Sequence, residues 1–277
     1  MSAHLVWING GLASSEAAVV SVADRGFLSG DGVFEAIKVK DGQPFALRRH
    51  LDRLERSATV IGLPTPARGT LLTAVADVLA ANRDRCGPAA RIRITLTAGT
   101  GRGVHRVEGE STLVVTADPL GVLPTVSSVM ISPWPRNDRS ATAGAKTTSY
   151  AENAAILAHA RRSGFDEAIL PDTQGRLSEG TTCNVIVALA GQLVTPSLAT
   201  GCLSGVTRDL ALAWGIVAER DMGIEVLDET TEVLLTSTTR DLQPVHRVGA
   251  RELVAPGPLG AAAMTEFGRR AAETSDP

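Results

Sequence analysis

The order of hydrophobic periods along the chain predicts an α/β protein of two domains, a small α+β unit followed by a larger α/β unit. Three observations carry that expectation. Strand-like segments joined by Asn-Gly and Asp-Gly open the chain; two stretches of helical period follow before strands return; and a proline-rich tract precedes a second round of helices and strands. A length of 277 residues suits two cores of moderate size better than one.

The elements follow in order. "LVWINGGLA" and "VFEAIKVKDGQPFAL" put tight-turn dipeptides between β-rich segments, the mark of hairpins. From Arg48 to Ile61, Leu51, Leu54, Ala58 and Ile61 recur at helical intervals, and "RGTLLTAVADVLAANRD" repeats the pattern. "RIRITLTAGT" and "STLVVTAD" read as strands and close a first domain over 1–120. The tract 121–140 is expected to cross between domains around one buried strand, "SSVMIS". The second domain, 141–277, begins with the helix "SYAENAAILAHARRSG", which stops at a glycine. "DEAILPDTQGRLSEGTTCNVIVALAGQLVTP" gives strands with turns, and "SGVTRDLALAWGIVAERDMG" gives a helix with a serine at its start. The tail "AAETSDP" is expected to fray.

A hydrophobic fraction of 44% and a charged fraction of 21% are those of a soluble globular protein, and no apolar run approaches a membrane span. A net charge of -3 gives no general attraction for nucleic acid, so any bound anion must be met by a local site. "MSAHLVWING" lacks the basic and apolar regions of a secretory signal, and Cys86, Cys183 and Cys202 are odd in number without metal-ligand spacing. A reducing cytoplasm and no metal are expected.

The chain uses arginine almost throughout, with lysine only at Lys38, Lys40 and Lys146, and its one tyrosine, Tyr150, stands four positions after Lys146. Lys146 is either a solvated surface charge or a residue chosen because its amine, unlike a guanidinium, can lose its proton and act as nucleophile or base. In "LSGVTRDL", Gly205, Val206 and Thr207 open a helix whose free N–H groups suit a phosphate, unless Ser204 simply caps it. "LLTSTTRD" ends a strand in hydroxyl residues followed by Arg240, either further anion ligands or a threonine-rich turn. Glu179 in "RLSEGTTCNVIV" is either an exposed turn carboxylate or the partner of a pyridine nitrogen, whose protonation makes the ring an electron sink. "GTGRGVHR" presents Arg102, His105 and Arg106 on a glycine-rich loop that is neither a P-loop nor a dinucleotide fingerprint.

Taken in order, "DRGFLSGDGVFEAIKV", "HLDRLERSA", "AKTTSY", "DEAIL", "LSEGTTCNV", "LVTP", "CLSGVTR" and "TSTT" resemble the class IV aminotransferases, from about Leu5 to Val245. That family uses pyridoxal 5'-phosphate and includes D-amino-acid and branched-chain aminotransferases, (R)-amine transaminases and aminodeoxychorismate lyase. The resemblance implies fold type IV, a small N-terminal α+β domain and a larger C-terminal domain with the cofactor between them, in a homodimer whose partner contributes to each site. It makes Lys146 the catalytic Schiff-base lysine and brings Tyr150, one helical turn on, to the cofactor's phenolic oxygen. Arg53 would bind the phosphate bidentately, with backbone N–H groups from Val206 and Thr207 and a further bond from Thr238. Glu179 would pair with the ring nitrogen, with Thr181, Thr182 and Asn184 as neighbours.

For the substrate, the resemblance assigns Phe34, Ala36 and Lys38, which alternation puts on one strand face, together with Arg102, His105 and Thr239. Lys38 fits the D-specific pattern, whereas branched-chain enzymes tend to "FEGIR". D-specific enzymes carry tyrosine at the Phe34 position and an Arg-x-His loop, in which Gly103 here replaces the arginine and Arg102 stands one residue early. The implied activity is transfer of an amino group from a D-amino acid, or an (R)-amine, to a 2-oxo acid. "GRG" and "KTTSY" also resemble aminodeoxychorismate lyases, and a branched-chain L-specific aminotransferase is the third alternative. A reading of another class, a cofactor-free binding module, predicts a colourless protein that takes up no pyridoxal phosphate.

Overall fold

The computed structural model, which describes residues 4–102, 105–106 and 111–277, opens with a hairpin. Positive φ at Asn9 (44°) and Gly10 (113°) turns β1 (Leu5–Ile8) back into β2 (Gly11–Ser14). The Asp24 carboxylate accepts the Gly26 N–H at 2.7 Å and so caps α1 (Arg25–Ser29). Asp41 (φ 50°) and Gly42 (φ 77°) repeat the hairpin device between β3 (Gly32–Lys40) and β4 (Gln43–Pro44). After α2 (Leu47–Val60), α3 (Arg68–Ala81) and α4 (Arg83–Cys86) come β5 (Ala89–Thr97), the small hairpin of β6 (Gly101–Arg102) and β7 (His105–Arg106), and β8 (Thr112–Pro119). One antiparallel sheet in the order β2-β1-β8-β5-β3-β4 results.

Val33, Ile37 and Val39 alternate onto the face of β3 that shares a buried cluster with Leu51, Leu54 and Ala58 of α2 and Ala74, Val75 and Val78 of α3. No side chain caps the start of α2, where Ala46 is left-handed. Its position therefore rests on that stripe, each leucine of which contributes about 1.5–3 kcal/mol. The same alternation sends Glu35 into this core, where it is fully buried beside His50 and Arg53 of α2. Arg53 donates Nε–H and Nη2–H to the two Glu35 oxygens, each at 2.7 Å, and His50 Nδ1 lies 2.7 Å from Oε2.

Two compact units divide the chain: Met1–Gly121 with Ala145–Tyr150, and Val122–Gly144 with Ala151–Ser275. The sequence reading placed Lys146 in the second domain. Its segment instead lies along the first half of β3, with Phe34 N–H donating to the Lys146 carbonyl at 3.0 Å and Thr148 N–H to that of Gly32 at 2.8 Å. The tract read as a crossing belongs to the second unit, and its strand pairs there in parallel on both sides.

That second unit comprises β9 (Ser127–Ile131), α5 (Ala151–Arg162), β10 (Glu167–Pro171), β11 (Leu177–Gly180), β12 (Asn184–Leu189), β13 (Gln192–Thr195), α6 (Val206–Ala213), β14 (Ala218–Glu219), α7 (Val226–Glu229), β15 (Val233–Ser237), β16 (Asp241–Val248), β17 (Arg251–Glu252) and α8 (Pro258–Glu273). Pairing runs β11-β10-β9-β16-β15-β12, and a further pairing of β11 with β12 at Glu179 and Asn184 closes these strands into a ring. Val129, Ile169, Val185, Val187, Val233, Leu235 and Val245 share one buried cluster, whereas Ala168 and Leu170 of β10 pack with Ile156 and Ala160 of α5. Both faces of β10 are thus covered, which explains its unbroken apolar run. The helix expected over 204–223 stops at Ala213, because Gly215 turns left-handed (φ 69°) and leads into β14. The first residues of the tail expected to fray lie inside α8. Among the described residues no helix is long and apolar enough to cross a membrane.

The buried trio in the first unit predicts acid sensitivity. Burial raises the Glu35 carboxyl, but Arg53 and then His50 outweigh it and bring it from 4.5 down to about 2. Burial likewise holds the His50 imidazole below its ordinary 6.5, against the pull of Glu35. In both windows the unfolded chain binds protons that the folded chain does not, so stability present above pH 6.5 is lost as pH falls, first through His50 and then between 4.5 and about 2 through Glu35. Circular-dichroism melts should show the midpoint falling below pH 6.5. His50→Asn should flatten the upper part of that fall and keep the lower; an identical profile would contradict the account.

Candidate active site

In the first unit, Lys146 is held at an edge of the sheet by its carbonyl, bonded to Phe34 N–H, and by its N–H, which donates to Ser57 Oγ at 3.0 Å. Ser57 lies one turn after Arg53 on α2, so the stripe that binds Glu35 also holds the lysine backbone. The Lys146 Nζ stands 4.3 Å from the centre of the Phe34 ring and 5.5 Å from that of Tyr150. The two rings meet edge to face with centres 5.2 Å apart, so the half-buried amine has an aromatic ring on two sides. Arg93 brings a second cation to Phe34, its guanidinium carbon 4.0 Å from the ring centre.

Ala36 is opposite Arg93 in the β3–β5 register, so the face assigned to the substrate includes a guanidinium that the sequence reading missed. Its signal was present: "RIRIT" alternates Arg91, Arg93 and Thr95 onto the face opposed to Lys38, Ala36 and Phe34. Lys38 reaches toward Phe45, with Nζ 5.7 Å from the ring centre. His105 is exposed and pairs by its backbone with Arg102. The Arg102 side chain and Gly103 lie outside the described residues. Arg106 serves as a tether: its Nε donates to Asp31 Oδ2 at 2.9 Å and its Nη groups to the carbonyls of Gly62 and Ile61. Arg53, assigned to a phosphate, commits its Nε and Nη2 edge to Glu35.

In the second unit, Glu179 is not an exposed turn carboxylate. It is 7% exposed, its Oε1 lies 3.0 Å from Arg136 Nε, and its Oε2 accepts the Leu203 N–H at 3.0 Å. The Arg136 contact is an ion pair whose angle falls short of a hydrogen bond. Asn184, opposite Glu179, donates Nδ2–H to the Leu203 carbonyl at 2.7 Å. Two residues on, Gly205 starts α6, and no side chain caps the helix; the Ser204 hydroxyl bonds Asp209 instead. Val206 and Thr207 are buried at that start. A Cβ on Gly205 would lie 2.0 Å from Asn184 Oδ1.

Thr238 and Thr239 occupy the half-buried turn between β15 and β16. Thr181, Thr182 and Arg240, read as neighbours of Glu179 or ligands of an anion, belong to a different carboxylate. Fully buried Glu167 accepts the Thr181 N–H at 3.1 Å, the Thr182 hydroxyl at 2.8 Å and Arg240 Nη2 at 3.2 Å, as well as the Thr181 hydroxyl. Burial first, then Glu167, pushes the Cys183 thiol far up, and burial with Glu179 raises that of Cys202 to about 11, so neither is a nucleophile. Thr236, opposite Asn184, is 1% exposed, and its hydroxyl has no partner among the described residues.

These features fit a phosphorylated pyridine. An uncapped helix start, a backbone approach that tolerates no Cβ, a buried carboxylate and an unsatisfied buried hydroxyl are the groups such a ligand would use.

Comparison with known proteins agrees. The profile of the family described as "Amino-transferase class IV" matches residues 32–248. The chain is 31% identical to a putative branched-chain-amino-acid aminotransferase of Methanocaldococcus jannaschii, over 89% of this chain and 88% of that one. It is 29% identical to the D-alanine aminotransferase of Bacillus licheniformis, over 92% of each. Among solved structures, the Escherichia coli branched-chain amino acid aminotransferase superposes with a TM-score of 0.88 at 27% identity, covering 99% of this chain and 96% of that one. A hypothetical aminotransferase from Mycobacterium tuberculosis, in a form bound to α-ketoglutarate and pyridoxamine phosphate, gives 0.87 at 25% identity, covering 99% and 100%.

The close approach at Gly205 yields a test. Its φ of -69° suits any residue, so Gly205→Ala adds only the collision with Asn184. Denaturant melts should show a loss of about 1–3 kcal/mol. Gly121→Ala, where nothing lies within 4 Å, should be neutral. Equal effects would mean that the approach is not tight.

Proposed function

This chain belongs to the class IV aminotransferases, and on that premise we propose that it transfers an amino group from a D-amino acid to a 2-oxo acid, with Lys146 as the catalytic base. The family is pyridoxal-phosphate-dependent, and the cofactor, when bound, supplies an electron sink conjugated to the carbon that bears the amino group. The observation that carries the reading is the Lys146 amine set against the rings of Phe34 and Tyr150 on a segment bonded to β3.

In this reading Lys146 Nζ takes the proton from the donor α-carbon and returns it to the cofactor side. Tyr150, with its ring centre 5.5 Å from the amine, would meet the cofactor's phenolic oxygen. Glu179, oriented by Arg136 and the Leu203 N–H, would pair with the ring nitrogen and favour its protonated form. In the second unit Val206 and Thr207 N–H groups and Thr238 would hold the phosphate; in the first unit Glu35 fixes the plane of the Arg53 fork, whose charge this reading assigns to the same anion. On β3, Phe34, Ala36 and Lys38 would face the substrate, and Arg93, opposite Ala36, would pair with its carboxylate.

The D preference is supported by Lys38 in its strand pattern and by the Bacillus licheniformis relative. A second reading, an L-branched-chain donor, is supported by the Methanocaldococcus jannaschii relative. Val19, Val20, Val22, Phe27 and Leu28 are exposed together before β3, an apolar run that suits the covered face of a homodimer.

Borohydride reduction and peptide mapping should place the pyridoxyl group on Lys146, and Lys146→Ala should lower turnover at least about a hundredfold with an unchanged melt. Label on Lys38 or Lys40 would overturn the assignment. Spectral conversion of the cofactor should be faster with D-alanine than with L-leucine; conversion by L-leucine alone would establish the second reading. Arg93→Ala should raise KM for 2-oxo acids about tenfold or more while leaving kcat nearly unchanged, and an unaltered KM would remove Arg93 from the site. Sedimentation should show a dimer that Phe27→Asp weakens, and a monomeric parent protein would rule the dimer out.

A further inference from the structure

Where the ring of strands closes, three buried polar side chains stand in register. Glu179 is opposite Asn184, and Asn184 is opposite Thr236. They are 7%, 4% and 1% exposed. Alternation puts Asn184 and Thr236 on the face away from Val185 and Leu235, which belong to the apolar cluster. Buried polar groups are costly unless they hold something, and each member of this row has a distinct relation to what lies beside it.

Glu179 and Asn184 grip the same residue from two sides. The Leu203 N–H donates to Glu179 Oε2 at 3.0 Å, and the Leu203 carbonyl accepts from Asn184 Nδ2 at 2.7 Å. Leu203 is two residues before Gly205, the start of α6, and the Asn184 side chain also fills the place a Cβ on Gly205 would take. The backbone of 203–205 thus has its hydrogen bonds on one wall and its steric limit on the same wall. Thr236, the third of the row, has beside Asn184 a buried hydroxyl with no partner among the described residues, a group able to bond a polar ligand.

We infer that Asn184 is a positioning residue: by holding the Leu203 peptide it fixes the direction of the Val206 and Thr207 N–H groups toward the cofactor phosphate. The inference rests on the reading of the α6 start as the phosphate site. Asn184 itself need not touch the ligand. Asparagine is suited to the task, because it donates to the carbonyl without bringing a negative charge toward a phosphate, as aspartate would.

The test separates phosphate from ring. The cofactor-free chain is titrated with pyridoxal phosphate and with pyridoxal, and the ratio of the two affinities is taken for each variant. Asn184→Ala and Asn184→Asp should each lower that ratio at least about fivefold, with the affinity for pyridoxal kept within about twofold. Loss of fold would lower both affinities together, and thermal melts of the same samples identify it; the milder Asn184→Ser then serves in place of a variant that does not fold. Val206→Pro removes one N–H at a position where proline suits a helix, and it should lower the ratio too. If Val206→Pro lowers the ratio and the Asn184 variants do not, the positioning role is wrong and the helix-start reading stands. If Val206→Pro leaves the ratio intact, the helix-start reading fails and the role of Asn184 fails with it.

Discussion

One pairing closes the second unit. β11 meets β12 at Glu179 and Asn184, and without it β11 would be an unpaired edge of the sheet and the first part of β12 would lack a partner on that side. Closure fixes where those two side chains stand, and both are buried and polar, so each must find a partner or cost about 1–3 kcal/mol. The partners are the N–H and carbonyl of Leu203, which brings the approach to α6 onto the closing pair. The fold therefore uses a single constraint twice, to complete the sheet and to place the helix start.

The first unit has a comparable economy in β3. Its inward face carries Val33, Ile37 and Val39 into an apolar cluster, and among them Glu35, whose charge Arg53 and His50 satisfy. Its outward face carries Phe34, against which Lys146, Tyr150 and Arg93 all lie. The strand's edge hydrogen bonds go to residues 146–148 over its first half and to β4 over its second. A buried ion pair is weak evidence for stability, because the desolvation of two ions offsets much of their attraction. Its geometric effect is firmer: the Arg53 fork, bonded at two nitrogens to two oxygens, has its plane set by Glu35.

Much of this was legible in the sequence, for identifiable reasons. Local rules sufficed where one segment decides its own shape: Asn9-Gly10 and Asp41-Gly42 mark hairpins, and Leu51, Leu54 and Ala58 mark the buried stripe of α2. Lys146 and Tyr150 stood out because the chain hardly uses their residue types. What escaped depends on pairing between distant segments. Nothing local says that 145–150 lies along β3, that Thr181 and Thr182 turn to Glu167 rather than toward Glu179, or that Arg240 pairs with Glu167 rather than with an anion. The helix after Ser204 was overextended because apolar spacing continued past Gly215, where a left-handed glycine ends it. Arg93 was visible in the alternation of "RIRIT", but its significance needs the register that opposes it to Ala36.

The two cations on the Phe34 ring show why this chain departs from its arginine habit at one place. Arg93 and Lys146 stand 4.0 and 4.3 Å from the same ring centre, so their surroundings have one wall in common, yet their chemistry differs. A guanidinium keeps its charge at any accessible pH and offers a planar fork, which suits holding a carboxylate and cannot serve for moving a proton. An amine offers one atom that gains and loses a proton, and it gives up the fork to do so. An arginine at 146 would add a second permanent charge to the wall and remove the amine that the proposed reading makes the proton carrier. A lysine at 93 would keep a charge but lose the bidentate geometry. On the proposed reading the carboxylate goes to the one and the proton to the other by residue type, the β3–β5 register bringing Arg93 to the ring and the Phe34–Lys146 backbone bond bringing the lysine.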